Sequence, residues 1–362
     1  MKRRYFVWLL FIALLLGGLW GCENADVTKG KAEDYKRNHP SASQVNASLQ
    51  DISPDNKILS FDYGAPYWSN IATYHVATGT VHVFKDIKTK MNVFPSFSHD
   101  GTKIVFLGAK ERDYARNIYI MNADGSGLRQ ITTFPETERE DFIKAPSFSP
   151  DGKRIIFSRS HRKRERAFPL QGSMHADWDV YEVDIATGME RRLTNYNFYE
   201  ISWPYYMADG KRFIFSGEGP HNPVGKGPKD FKEYEEKYQK NFVFIMDGSK
   251  NDLKPAFVNG RYSYRPSVSS NDAILFVSKT NEMDDHATAK DTYDLFIYKR
   301  GKIERLTKLH SYIGYGRLSR DGSAIIFSKR SDKTSDEYSE GMMKSDGTEL
   351  KEIKIPIDKL KR

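Results

Sequence analysis

Four of the chain's nine histidines, His161, His175, His221 and His286, fall in long stretches between strand-like segments, with Asp177, Asp284 and Asp285 nearby. Imidazole and carboxylate together suit a divalent transition metal, but no pair here has the regular spacing of ligands on one strand or helix. A basic run holds Arg159, Arg162, Lys163, Arg164 and Arg166 against the single acid Glu165. Guanidinium groups supply paired donors for phosphate, uronate or an acidic protein patch. The same run reads more simply as a solvated charge cluster facing Glu136, Glu138, Glu140 and Asp141. A third set mixes aromatics with cations: Lys144, Trp203, Tyr205, Tyr264, Arg265, Tyr315 and Arg317. Such residues stack on sugars or anchor a peptide, or they simply fill a channel.

Familiar catalytic signatures are missing. There is no Gly-x-Ser-x-Gly, no His-Glu-x-x-His and no phosphate-binding glycine loop. One cysteine, Cys22, excludes an intrachain disulfide and a thiolate zinc cluster. No cofactor is expected, no catalytic residue is assigned, and the four histidines remain weak metal candidates.

The elements that must position these residues show as a repeat. Its clearest copies are Pro95-Ser-Phe-Ser-His-Asp-Gly-Thr-Lys-Ile-Val-Phe106 and Pro146-Ser-Phe-Ser-Pro-Asp-Gly-Lys-Arg-Ile-Ile-Phe157. Further copies run from Pro204 to Phe215 and from Gly316 to Phe327, with degenerate ones at Ile52–Phe61 and Pro266–Phe276. Asp-Gly between apolar runs is a hairpin signal, because glycine accepts positive φ and aspartate bonds to nearby backbone. Continuous apolar runs such as Ile155-Ile156-Phe157 fit strands covered on both faces. A second hairpin follows in most copies, as in Asn117-Ile-Tyr-Ile-Met-Asn-Ala-Asp-Gly125 before Leu128-Arg-Gln-Ile-Thr132. Four strands in each of six copies predict an all-β chain, a six-bladed β-propeller of four-stranded antiparallel blades over residues 49–355.

Ser-Pro-Asp-Gly-Lys-x-Ile-x-Phe followed by Ile-Tyr-x-Met-Asn-Ala-Asp-Gly and Arg-Gln-Ile-Thr resembles the repeat of TolB-type six-bladed propellers. The resemblance covers nearly all of the chain after its first 50 residues. It implies a fold more than an activity, since similar blades occur in TolB, in propeller domains attached to serine peptidases and in oligogalacturonate lyases. Two features depart from TolB itself: a short tether stands where TolB carries an α/β domain, and the N-terminus looks acylated.

That N-terminus reads as an address. Lys2, Arg3 and Arg4 precede an apolar run from Tyr5 to Trp20, which ends at Leu19-Trp20-Gly21-Cys22. The pattern resembles a bacterial lipoprotein signal over 1–21, with Cys22 as the lipidated residue and 22–48 as a flexible tether. Residues 356–362 are expected as a tail. The chain is then exported, lipid-anchored in the cell envelope and facing the periplasm, with Glu23 leaning toward the outer membrane. The formal net charge of +8 loses the three charges of Lys2, Arg3 and Arg4 with the signal, and the modest basic excess that is left suits contact with anionic envelope material or simply solubility. An envelope protein or an anionic polysaccharide is the expected partner; nucleic acid is not, and a monomer is expected.

Alternating strands place the tight Asp-Gly turns on one face of the disc and all long insertions on the other. The insertions are 158–177, 216–240, 277–292 and 328–339, with a short helix expected over 231–238. Long connections in a compact repeat tend to be functional. The first expectation is therefore a non-enzymatic binding propeller working through its elaborated face. The alternative is a metal-dependent enzyme acting on acidic polysaccharide, as the lyase resemblance implies; a purely structural lipoprotein is a third reading.

Overall fold

A computed structural model describes residues 45–360, apart from 66–67, 111–115, 135–141, 166–172, 199, 219–241, 251, 260, 281–291, 310 and 331–337. The expected signal, most of the tether, Cys22, His221, His286, the helix over 231–238 and the acids at 136–141 lie outside the described residues.

The described residues form twenty-four strands. The first eight are β1 (Asn46–Ile52), β2 (Ile58–Ala65), β3 (Trp68–His75), β4 (Val81–Val83), β5 (Met91–Phe97), β6 (Lys103–Ala109), β7 (Asn117–Asn122) and β8 (Arg129–Gln130). Next come β9 (Ile143–Phe148), β10 (Arg154–Glu165), β11 (Ser173–Asp184) and β12 (Glu190–Arg192). A further group is β13 (Glu200–Tyr206), β14 (Arg212–Glu218), β15 (Phe242–Asp247) and β16 (Lys254–Pro255). It is followed by β17 (Ser263–Val268), β18 (Ile274–Lys279), β19 (Tyr293–Lys299) and β20 (Lys302–Arg305). The last group is β21 (Ile313–Leu318), β22 (Ala324–Arg330), β23 (Tyr338–Lys344) and β24 (Lys351–Ile353).

From β9 onward each group of four is a separate antiparallel blade, four blades in all. β1–β8 instead form one eight-stranded sheet, where separate blades were expected. The join is a single parallel pairing, Ser69 with Met91, between β3 and β5. Ser69 N–H donates to the Lys90 carbonyl at 3.0 Å, and Asn92 N–H donates to the Ser69 hydroxyl at 3.0 Å. The first strands touch in the cycle β1, β5, β9, β13, β17, β21 and back to β1, so they surround an axis. The architecture is an all-β propeller.

Packing follows the repeat. Phe61, Phe106, Phe157, Phe215, Phe276 and Phe327 are all fully buried. Aromatics stack across neighbouring strands, as Phe157 does on Tyr181 at 5.9 Å. Four of the tight turns are held by a serine clamp. Ser149 Oγ donates to Asp151 at 2.6 Å and accepts from Arg154 N–H at 2.9 Å. Ser53, Ser98 and Ser319 do the same with Asp55, Asp100 and Asp321. The two copies without a turn glycine put Asn56 and Asp272 at φ 61° instead, the left-handed region that Asn and Asp tolerate best after glycine. In the copy with Met207 in place of serine, Arg212 Nε reaches Asp209 at 2.5 Å.

The second hairpin has a clamp of its own. Asp179 accepts from Thr194 Oγ1 at 2.5 Å and from Tyr196 N–H at 2.9 Å, and Thr194 Oγ1 accepts from Val180 N–H at 2.9 Å. Asn117 with Thr132, and Asp294 with Thr307, repeat this geometry.

Three boundaries differ from expectation. β1 starts at Asn46, three residues before the expected propeller boundary, because Asn46, Ala47 and Ser48 already pair with Gly64, Tyr63 and Asp62 of β2. The insertion at 158–177 is in part strand: the β10–β11 ladder continues to the pair Glu165–Ser173, with Asp177 at φ 60°. In the expected tail, Leu360 is buried in a cluster with Leu49, Leu59 and Ile326, which joins the first and last groups of strands.

Candidate functional site

Each first strand carries an irregularity near its start. The pairing shifts between Val93 and Ser96, Ser202 and Tyr205, and Tyr264 and Ser267, and opposite Ala145 between Ile156 and Ser158. Within these bulges Phe94, Ala145, Trp203 and Arg265 have φ of 57°, 47°, 50° and 50°. Left-handed backbone at a non-glycine residue costs on the order of 1–3 kcal/mol and persists only where neighbours fix it. Here the Asp62 carboxylate accepts from Phe94 N–H at 3.0 Å, and Ser216 Oγ accepts from Arg265 N–H at 3.3 Å.

The bulges bring three side chains together. Phe94 and Trp203 meet edge to face at 6.3 Å, and the Arg265 guanidinium lies 4.4 Å from the centre of the Trp203 ring. This cation–aromatic group sits toward the insertion end of the axis, because each first strand runs from that end to a tight turn. Tyr264 is buried beside it and donates its hydroxyl to the Ile313 carbonyl at 2.8 Å. Lys144 is also buried, 3.1 Å from Glu200 and 4.6 Å from the Trp178 ring centre. Tyr315 gives its hydroxyl to the Gln50 carbonyl. Arg265 is half-buried and Trp203 is 8% exposed, so only the edge of this group reaches solvent.

One layer farther along, Asp51, Ser96, Ser147, Tyr205, Ser267 and Arg317 occupy equivalent positions, one on each first strand. Arg317 Nε donates to Asp51 Oδ1 at 2.8 Å and stacks on Tyr205 at 4.0 Å. Asp51 Oδ2 accepts from Ser96 Oγ at 2.7 Å and Phe97 N–H at 2.9 Å. Burial works to raise the Asp51 carboxyl, but Arg317 and Arg320 outweigh it and hold its pKa below the usual range. Burial also raises the Tyr205 hydroxyl, to about 12. Sequence reasoning found Tyr205 and Arg317 but missed Asp51 and Ser96; stacking the six copies in register on their Asp-Gly turns would have shown the layer.

Arg159 pairs with Glu190 at 2.8 Å and lies over the Phe134 and Tyr181 rings, 4.6 and 5.5 Å from their centres. Arg162, Lys163 and Arg164 belong to the extended part of β10, opposite Ala176, His175 and Met174. Among the described residues no group of three His, Cys, Asp or Glu side chains could hold a metal ion.

Two further carboxyls are displaced upward. Burial raises Asp62 to about 7 against the hydrogen bond from Phe94 N–H, and burial raises Glu340 to about 8.

No protein-family profile matches the chain. The Tol-Pal system protein TolB of Wolinella succinogenes is 24% identical over 276 residues, covering 74% of this chain and 53% of that protein. The chain thus spans about half the length of that relative. The crystal structure of TolB from Acinetobacter baumannii superposes with a TM-score of 0.53 at 18% identity, over 87% of this chain and 65% of the other. An oligogalacturonate lyase in complex with manganese gives 0.54 at 13% identity, over 85% and 77%. These likenesses agree on the propeller fold, and several of the curated relatives are TolB proteins.

Proposed function

We propose that the chain is a TolB-like envelope propeller of six blades that binds a protein or a polymer, without catalysis, through the end carrying its insertions. In this reading the eight-stranded sheet counts as two blades bridged at one residue pair. The observation that carries the proposal is the bulge-held group of Phe94, Trp203 and Arg265. Strained backbone is being maintained in successive first strands, and its product is an aromatic–cation surface at the end where the connections lengthen. A rigid scaffold presents such a group with little ordering cost.

The similarity to Tol-Pal system proteins supports an envelope setting and a protein partner. The apolar run ending at Cys22 supports export and lipid anchoring, with the periplasm as the working compartment and the outer membrane preferred through Glu23. The basic excess leaves anionic polysaccharide as a second class of partner.

The test uses the chain from residue 23 onward as bait on detergent-solubilised native envelope. One enriched component is expected, with at least a tenfold loss for Arg265→Ala combined with Trp203→Ala. Replacing Arg162, Lys163 and Arg164 with Ser measures the share of the basic run. Equal capture by all three forms would remove this face from the proposal.

A further inference from the structure

The axial layer carries more positive than negative charge. Asp51 is the carboxylate that faces both Arg317 and Arg320, at 2.8 and 3.9 Å, and the two arginines are 1% and 5% exposed. Arg317 spends Nε on Asp51 and one face on Tyr205, which leaves Nη1 and Nη2 without a hydrogen-bond partner. Arg320 donates from Nη2 to the Phe97 carbonyl at 3.4 Å, and its Nε has no partner. Buried Ser147 Oγ, in the same layer, and His99 Nδ1 are also unpartnered.

A guanidinium N–H hidden from water without an acceptor is costly, and several at one place are costlier still. The local field shows the same excess. Burial first, then Arg320 and Arg317, press the His99 imidazole down to about 3, so it adds no charge of its own. Burial and Arg317 bring Arg320 down to about 10.

Both arginines come from the last copy of the repeat, and the neutral His99 from the second. Arg320 and His99 stand where the other four copies carry Pro54, Pro150, Ala208 and Ser270, just after the clamp position. Both lie at the tight-turn end of the axis, opposite the Phe94–Trp203–Arg265 group.

We infer that this end of the axis is an oxyanion site, in which the Nη1/Nη2 edge of Arg317 and the Nε of Arg320 grip one phosphate or carboxylate group of single negative charge. The two-donor edge of a guanidinium matches two oxygens of such a group, and one negative charge would neutralise the cluster. Ser147 Oγ and neutral His99 offer further hydrogen bonds. This site does not depend on the partner-binding end.

The experiment titrates the purified chain, dialysed free of phosphate and carboxylate buffers, with inorganic phosphate and separately with acetate by calorimetry. Saturable uptake of about one equivalent is expected for at least one of them, and which one binds identifies the chemistry preferred. Arg320→Pro, the residue found at 54 and 150, should weaken that binding at least tenfold, as should Arg317→Lys, which keeps the charge but loses the fork. Because either variant could unfold, wild-type crystals soaked in selenate give an independent reading: an anomalous peak within hydrogen-bond reach of Arg317 Nη1 or Nη2. Absence of saturable binding by both anions together with no such peak overturns the inference and leaves water as the acceptor. Unchanged affinity in a folded Arg320→Pro variant overturns it as well.

Discussion

The tight turns and the axial layer are built from the same repeat, yet they have diverged to opposite degrees. At the turns Ser53, Ser98, Ser149 and Ser319 make the same pair of bonds within about a tenth of an ångström. On the axis the equivalent residues are an acid, a phenol, an arginine and three serines. A clamp satisfies backbone groups that every blade must bury, so any change is penalised alike in each copy. An axial side chain meets residues from other blades, so its chemistry is free to differ provided the set is jointly satisfied. Uniform positions therefore report the fold, and unlike positions report what this chain has been adapted to hold.

The comparison breaks most visibly if axial charge is disturbed on one side only. Asp51→Asn leaves Arg317 and Arg320 buried without a counter-charge, with an expected loss of about 3–5 kcal/mol in urea denaturation. Asp51→Ser together with Arg317→Ser gives the layer the residue already present at 96, 147 and 267, and should restore more than half of that loss. No restoration would mean that the axial layer is as constrained as the turns. A core position provides the scale: Phe157→Ala, fully buried between strands, should cost about 3–5 kcal/mol, and a loss below about 1 kcal/mol would contradict the packing.

A smaller effect comes from Asp62 and Glu340. Their folded-state pKa values of about 7 and 8 lie above the ordinary 3.8 and 4.5. The folded chain thus holds protons that the unfolded chain has released, and stability falls as pH rises toward those values. His99 works the other way, with its folded value near 3 against 6.5, but its window closes above about 6.5. Between pH 6.5 and 8, among these three described groups, the carboxyls set the sign. Stability should decline there by up to about 1.4 kcal/mol per pH unit for each proton involved. Glu340→Gln should flatten that decline when urea midpoints are compared at pH 6.5, 7.5 and 8.5; an unchanged slope would mean Glu340 is ionised throughout.

The smallest change tests the uniform half. Ser149→Ala should cost about 1–2 kcal/mol, by leaving Arg154 N–H and Asp151 short of a partner. Ser98→Ala and Ser319→Ala should match it within about 0.5 kcal/mol. A wide spread among the three would show that the turns are not equivalent after all.

This contrast also explains what could be read without coordinates. Turn and core positions repeat in the sequence, so Asp-Gly, the flanking serine and the closing phenylalanine announce the hairpins directly. The axial layer does not repeat by type. Tyr205 and Arg317 stood out as large or charged, while Asp51 sat in a degenerate copy and Ser96 looked like any clamp-region serine. The bulges at Phe94, Ala145, Trp203 and Arg265 do leave a mark, since each precedes a proline (Pro95, Pro146, Pro204 and Pro266) that cannot donate to the ladder, but that proline reads first as the opening of the repeat. The join of the first eight strands rests on one residue pair, below what any pattern of apolar positions encodes.

The sheets from β9 onward are each made of four consecutive strands, and β1 to β4 are likewise consecutive, so among the described residues no strand from the last group pairs into the first. Circularity is kept by side chains: Tyr315 on the Gln50 carbonyl, Arg317 on Asp51, Asn56 on Asp321 and Ser323, and the apolar cluster that includes both Val45 and Leu360. A tensile load applied to the two ends of the polypeptide would therefore spread this seam before shearing any backbone ladder, which makes it the mechanical fuse of the disc. Joining the ends through a short linker and cutting at another tight turn would move the fuse elsewhere around the circumference.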